Sequence, residues 1–136
     1  MGSTLVDKMV IASSLEAARE IEQVVLREVA RHGYNKAAEF AIKLALQEGL
    51  SNAIKHGNGY DPTKTVEVHF DIDGERAAIT IIDQGMGFDL GAVPDPTSDE
   101  NLEKPSGRGI MLMSAYMDRI EFSPKGNEVT MVKENR

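Results

Sequence analysis

Residues 66–87 read VEVHFDIDGERAAITIIDQGMG, two strand-like halves around a turn, closed by an aspartate and two glycines. Val66, Val68, Phe70 and Ile72 alternate with Glu67, His69 and Asp71. That period of two is what a strand with one buried face requires. Asp73-Gly74 is a two-residue turn signal. Ala77 to Ile82, AAITII, is apolar on both faces, which predicts a return strand near the sheet centre.

Working upstream, residues 58–65 (NGYDPTKT) are turn chemistry. Before them a helix is expected from Asn35 or Lys36 to His56, with an apolar face of Ala37, Phe40, Ala41, Leu44, Ala45 and Ile54, stopped at Gly57. An earlier helix carries Leu15, Ala18, Ile21, Val25 and Val29 at helical spacing and stops at Gly33. Ser13 and Glu16 form an S-x-x-E pattern, predicting a capping box at its start. Residues 4–12 (TLVDKMVIA) read as a first strand.

Downstream, glycines and prolines punctuate residues 84–109, a length of loop that is uncommon inside a compact domain and is often a lid. A helix is predicted from about Ser106 to Met117, with Met111, Met113 and Met117 packing it. Arg119–Ser123 and Val129–Lys133 read as a terminal hairpin around residues 124–127. The order β-α-α-β-β-loop-α-β-β predicts an α+β fold: a single-layer mixed or antiparallel sheet with helices on one face, in one domain spanning residues 1–136.

Composition narrows the chemistry. The 136 residues include no cysteine, which excludes disulfides, thiolate zinc sites and a cysteine nucleophile. Fifteen Lys+Arg against 22 Asp+Glu give a net charge of −7. That balance argues against non-specific binding to nucleic acid or an anionic membrane, but not against a nucleotide held by local backbone dipoles. No apolar run approaches the ~20 residues of a membrane span. The first ten residues lack a basic n-region followed by an apolar h-region, so no signal peptide is expected and the expected location is the cytoplasm. His32 and His69 carry no metal-site spacing.

Four local features could carry chemistry. In residues 45–59, ALQEGLSNAIKHGNG, Glu48 and Asn52 are four apart and so project from one helix face ~6 Å apart along the axis, with Lys55 near the same stripe. Asn offers a hard amide oxygen for Mg²⁺, which keeps most of its waters, and Glu can take a proton. A polar stripe is equally what a solvated helix face carries. Asp83-Gln84-Gly85-Met86-Gly87-Phe88 follows the buried strand; a carboxylate there can accept from an exocyclic amine, and glycines allow close backbone approach. The same residues also suit a plain tight turn. Ser106-Gly107-Arg108-Gly109 opens a helix, where free N–H groups form an anion site. It is neither a P-loop nor a dinucleotide fingerprint. Arg108 reaches a phosphate or is simply solvated. The connecting loop, about residues 89–106, holds Asp89, Asp95, Asp99, Glu100 and Glu103 against Lys104. It is either a solvated acidic loop or a lid that orders over a ligand.

Taken together in this order, the motifs resemble those of the GHKL (Bergerat-fold) ATPases. The E-x-x-x-N box is Glu48 and Asn52, the D-x-G-x-G box is Asp83, Gly85 and Gly87, and the G-x-G box is Gly107 and Gly109. The resemblance covers about Leu5 to Lys133. The stretches NAIKHGN and GRGIMLMSAYMDRIEF are most similar to stand-alone anti-sigma-factor serine kinases of the RsbW/SpoIIAB type. The resemblance implies ATP and Mg²⁺ as cofactors, with Asn52 on the metal and Asp83 on the adenine amino group. Gly85 and Gly87 would shape the adenine pocket, and residues 107–109 would hold phosphate. Glu48 would be the general base toward a serine hydroxyl. Lys55 and Phe88 join the nucleotide-binding set as neighbours of these motifs. Lys55 and His56 fall at the variable ending of the first box, where no fixed role is assigned. The implied partners are a STAS-type anti-anti-sigma protein and a sigma factor, with the chain as a homodimer and no direct contact with nucleic acid or membrane. Two other readings stay open: an ATP-responsive binding module without transfer, and a detached sensor histidine-kinase catalytic domain. The sequence departs from the family pattern after Gly126, where Asn127 stands in place of a threonine that supports the adenine; Asn127 is expected to substitute as a hydrogen-bonding group in the nucleotide-binding set.

Overall fold

A computed structural model describes residues 5–85, 115–124 and 126–135. Among these residues the chain forms five strands: β1 (Leu5–Ala12), β2 (Thr65–Ile72), β3 (Arg76–Ile82), β4 (Arg119–Phe122) and β5 (Glu128–Glu134). They make one sheet in the order β1-β2-β3-β5-β4, and every pairing is antiparallel. The expectation of a mixed or antiparallel sheet thus resolves to antiparallel. Strand β3 lies at the centre, as its two-sided apolar pattern predicts.

Register explains the core. Val68 faces Ile81 and Phe70 faces Ile79 across one pairing, and Ile81 faces Val129 and Ile79 faces Met131 across the next. These side chains share one face of the sheet, and all are buried. Two helices cover that face: α1 (Leu15–Arg31) and α2 (Lys36–Asn52). Ile21, Val25 and Val29 of α1 and Ile42, Leu46 and Leu50 of α2 belong to the same cluster. Burying each such side chain contributes ~1.5–3 kcal/mol, which fixes the helices on that face. The opposite face carries the polar set of β2, where Lys8 and His69 both contact Glu67 and hold its carboxyl below the usual range, the His69 hydrogen bond contributing most.

Three local expectations are corrected. The N-cap of α1 is Ser14, whose Oγ accepts from the Ala17 N–H at 3.1 Å. No Ser13–Glu16 box forms, because Ser13 Oγ is engaged elsewhere, donating to the Lys64 carbonyl at 2.7 Å. The buried stripe of α2 is Ala38, Ala41, Ile42, Ala45, Leu46, Gly49 and Leu50. Ala37 is exposed, Phe40 is 57% exposed and Leu44 is half-buried. Both stripes obey helical spacing, and only the sheet chooses between their phases. At the β2–β3 turn Asp73 is the first residue and the central pair is Gly74-Glu75: the Asp73 N–H donates to the Arg76 carbonyl at 3.1 Å. The predicted start of α2 holds, with Asn35 Oδ1 accepting from the Ala38 N–H at 2.8 Å.

The helical path of α2 continues past Asn52 but widens into a π-helical turn, Ala53–Gly57. The Asn58 N–H reaches back five residues to the Ala53 carbonyl at 2.8 Å. Ala115 and Tyr116 are helical and Met117 is buried, at the end of the predicted last helix; the rest of that helix lies outside the described residues. No helix among the described residues is long and apolar enough to cross a membrane.

Candidate functional site

Two arms make the site. The first is the C-terminal end of α2. Glu48 and Asn52 are one turn apart and half-buried, and neither side chain makes a hydrogen bond or ion pair among the described residues. Among the described residues this carboxylate and carboxamide have no structural partner, which suits them to a ligand. Lys55 and His56 are exposed on the π-helical turn. Because that turn winds more slowly than an α-helix, spacing alone no longer stacks Lys55 on Asn52.

The second arm is the exit of β3. Asp83 extends the sheet by one further link: its N–H donates to the Asn127 carbonyl at 2.9 Å, and its carbonyl accepts from Asn127 Nδ2 at 3.1 Å. The Asp83 carboxylate accepts the Gly85 N–H at 2.8 Å, an Asx-type turn that sets the direction of the following chain. Asn127 therefore stands beside Asp83, with its amide engaged on the Asp83 backbone.

The arms meet at two glycines. A Cβ on Gly57 would overlap the Asp83 carboxylate, and a Cβ on Gly85 would overlap the Gly57 carbonyl. Neither glycine has positive φ, so it is close approach and not backbone conformation that demands them. The π-helical turn thus carries Gly57 against the aspartate of the other arm. A hydrogen bond from the Gln84 N–H to Asn58 Oδ1 at 2.7 Å adds a second tie between the same two segments.

Gly57, Asp83, Gly85 and Asn127 therefore come together, and Glu48 and Asn52 lie on the helix that ends at Gly57. Of the remaining expected residues, Gly87, Phe88, Gly107, Arg108 and Gly109 lie outside the described residues, as does the expected lid at 89–106. Sequence reading treated Gly57 only as a helix stop and Asn58 only as a turn residue. The one available signal was G-N-G directly after a helix that carries a candidate box. Among the described residues no cluster of three or more His, Cys, Asp or Glu could hold a metal by itself. Any divalent cation here would depend on an amide oxygen such as that of Asn52 and on ligand phosphates, a donor set that suits Mg²⁺.

Residues 11–133 match the family model described as the histidine kinase-like ATPase domain. The chain belongs to this family. The match takes in both arms of the site, from the strand before α1 through Asn127. The histidine kinase-like ATPase domain here is 35% identical over 94 residues to the anti-sigma F factor of Clostridium perfringens strain SM101, covering 67% of this chain and 66% of that protein. It is 34% identical over 101 residues to the serine-protein kinase RsbW of Bacillus licheniformis, covering 68% of this chain and 62% of the relative. The matched segments thus span about two thirds of these relatives' length. In fold it is similar to the crystal structure of the RsbU and RsbW domains of Rv1364c from Mycobacterium tuberculosis. The TM-score is 0.66 at 18% identity, over 98% of this chain and 32% of the other.

Proposed function

We propose that this chain is an ATP-dependent protein serine kinase of a partner-switching module, acting on a STAS-type anti-anti-sigma protein and sequestering a sigma factor. The observation that carries the reading is the junction of the two arms. A Glu48–Asn52 pair on α2 with no side-chain partner among the described residues leads through Gly57 directly onto the Asp83 carboxylate. Relatives named anti-sigma factor and serine-protein kinase support it.

In this reading Asp83 accepts a hydrogen bond from the adenine amino group, one of the several a carboxylate with about four lone-pair sites can take. Asn52 gives its amide oxygen to Mg²⁺, which when bound neutralises phosphate charge. Gly107, Arg108 and Gly109 hold the phosphates, Gly87 and Phe88 adjoin the base, and Lys55 and Asn127 complete the nucleotide contacts. Glu48 takes the proton from the serine hydroxyl. The serine oxygen bonds to the γ-phosphorus while the bond between that phosphorus and the bridging oxygen of ADP breaks. Positioning and charge neutralisation carry most of such a transfer, so one base and one metal suffice. The chain works as a cytoplasmic homodimer.

A second reading, sequestration without transfer, is favoured by the relatives named only as anti-sigma factors. Glu48→Ala separates the two. Loss of an acid-stable phosphoserine on the partner with partner binding intact supports the kinase. A phosphate product that is acid-labile points instead to transfer onto histidine. The first test is calorimetric titration with ATP, with and without Mg²⁺. Asn52→Ala is expected to lose about tenfold or more of Mg²⁺-dependent affinity. Its folding stability should stay within about 0.5 kcal/mol of wild type, as for a site with no structural partner.

A further inference from the structure

Asn58 is a polar residue only 3% exposed, and the proposed chemistry does not use it. Its side chain makes three hydrogen bonds, using both amide N–H groups and the carbonyl oxygen. Nδ2 donates to Ser13 Oγ at 2.8 Å and to the Thr65 carbonyl at 2.9 Å, and Oδ1 accepts from the Gln84 N–H at 2.7 Å. The orientation is fixed by these partners. A flipped amide would set NH₂ against the Gln84 N–H and oxygen against the Thr65 carbonyl.

The donor half is therefore anchored to the frame, at the joint before α1 and at the start of β2. The acceptor half reaches the peptide unit that joins Asp83 to Gln84. That same peptide unit is held from its other side, where the Asp83 carbonyl accepts from Asn127 Nδ2 at 3.1 Å. Two asparagines, Asn58 and Asn127, thus grip one peptide plane by its N–H and its C=O. A planar peptide pinned at both polar ends leaves Asp83 little freedom to rotate. Its carboxylate is further confined by the Gly57 backbone.

We propose that Asn58 is a positioning residue for base recognition: through the Gln84 N–H it sets the aim of the Asp83 carboxylate. The inference rests on the reading that Asp83 binds the adenine amino group. A residue that merely braced the fold would affect stability alone. A positioning residue affects which base is bound.

The test compares wild type, Asp83→Asn, Asn58→Ala and Ser13→Ala by calorimetric affinity for ATP and GTP, with melting temperature measured on each. Asn58→Ala is expected to weaken ATP about tenfold, the scale of one well-formed hydrogen bond, while GTP binding changes little, so that discrimination falls. Ser13→Ala, which removes a frame-side partner only, is expected to lower the melting temperature and leave the ATP/GTP ratio unchanged. An Asn58→Ala protein that folds and keeps the wild-type ratio overturns the proposal, whatever its melting temperature. If Asn58→Ala does not fold, Asn58→Asp decides, since it keeps the acceptor. ATP affinity within about threefold of wild type supports the proposal, and a loss as deep as that of Asp83→Asn overturns it. Amide exchange on wild type is an independent check: Gln84 is exposed, so an unprotected Gln84 N–H also overturns it. A wild type that binds no ATP overturns the kinase reading and this inference together. A wild type that binds, with Asp83→Asn weakened and Asn58→Ala unchanged, overturns only this one.

Discussion

Strand β3 begins and ends with the same device put to different uses. At its start, Asp73 Oδ1 accepts the N–H groups of Glu75 at 2.7 Å and Arg76 at 2.9 Å. At its end, Asp83 Oδ1 accepts the N–H of Gly85 at 2.8 Å. The glycine at the first turn, Gly74, has open space where a Cβ would stand, whereas those at the second, Gly85 and Gly57 beside it, have none. Around Asp73 the partners are those of a hairpin brace: Tyr34 Oη donates to its carbonyl at 2.8 Å, and Asn135 donates to Gly74 and Glu75. Around Asp83 they are a second backbone in contact and an asparagine on each side. The two aspartate turns share the hydrogen bond to the N–H two residues on and differ in what is packed against them.

That contrast is strongest at the glycines. Gly57→Ala is expected to displace Asp83 and cost about tenfold or more in ATP affinity, the scale of a lost charge-assisted hydrogen bond, measured by calorimetry on folded protein. Unchanged affinity would break the comparison. At the opposite end, Tyr34→Phe leaves the Asp73 carbonyl short of a donor and should cost about 1 kcal/mol in urea unfolding, with nucleotide affinity unaltered. Burial, with the nearby Asp73 charge, pushes the Tyr34 hydroxyl up from 10.0 to about 12. Its folded value lies above its unfolded one, so its contribution is complete below pH 10 and is lost as pH rises toward 12. Tyr34→Phe should remove that alkaline loss.

Asp73→Asn keeps the acceptor and removes the charge, so it should cost under about 1 kcal/mol at pH 7. The N–H groups of Arg76 and then Glu75 hold the Asp73 carboxyl below its ordinary 3.8. Its contribution is therefore present above that value and lost as pH falls through the lower folded one. Urea midpoints of the variant and wild type should converge in that acidic range. Gly74→Ala should be the quietest change, within about 0.5 kcal/mol and without effect on nucleotide. A large loss there would show that the two turns are more alike than their surroundings indicate.

What the sequence disclosed and what it withheld divide along the same line. The alternation of β2, the central place of β3 and the terminal hairpin are local patterns, and they were legible. Glu48, Asn52, Asp83 and Gly85 could be put forward together from the sequence because each pair's spacing lies within a single segment. The N-cap of α1 shifted by one residue because Ser13 is claimed by Asn58, 45 residues away. The stripe of α2 shifted because alanines on both sides of the helix leave its phase to the sheet. Gly57 and Asn58 read as punctuation because their partners sit beyond a hairpin, Asn58 and Gln84 being 26 residues apart.

Strand β5 enters between β3 and β4, so the last described strand in the chain fills the slot beside the central one. Before it enters, β3 has one open edge, and the Asp83 backbone lacks both bonds that Asn127 supplies. Closing that slot joins segments far apart in sequence, which is the slow kind of step in folding. The arm that carries Asp83 is thus completed only when the final hairpin is seated. A nucleotide added during refolding would stabilise finished sheets alone, by mass action on the closed form. Binding would then draw the refolding population toward the seated hairpin, whatever the order in which the strands assemble.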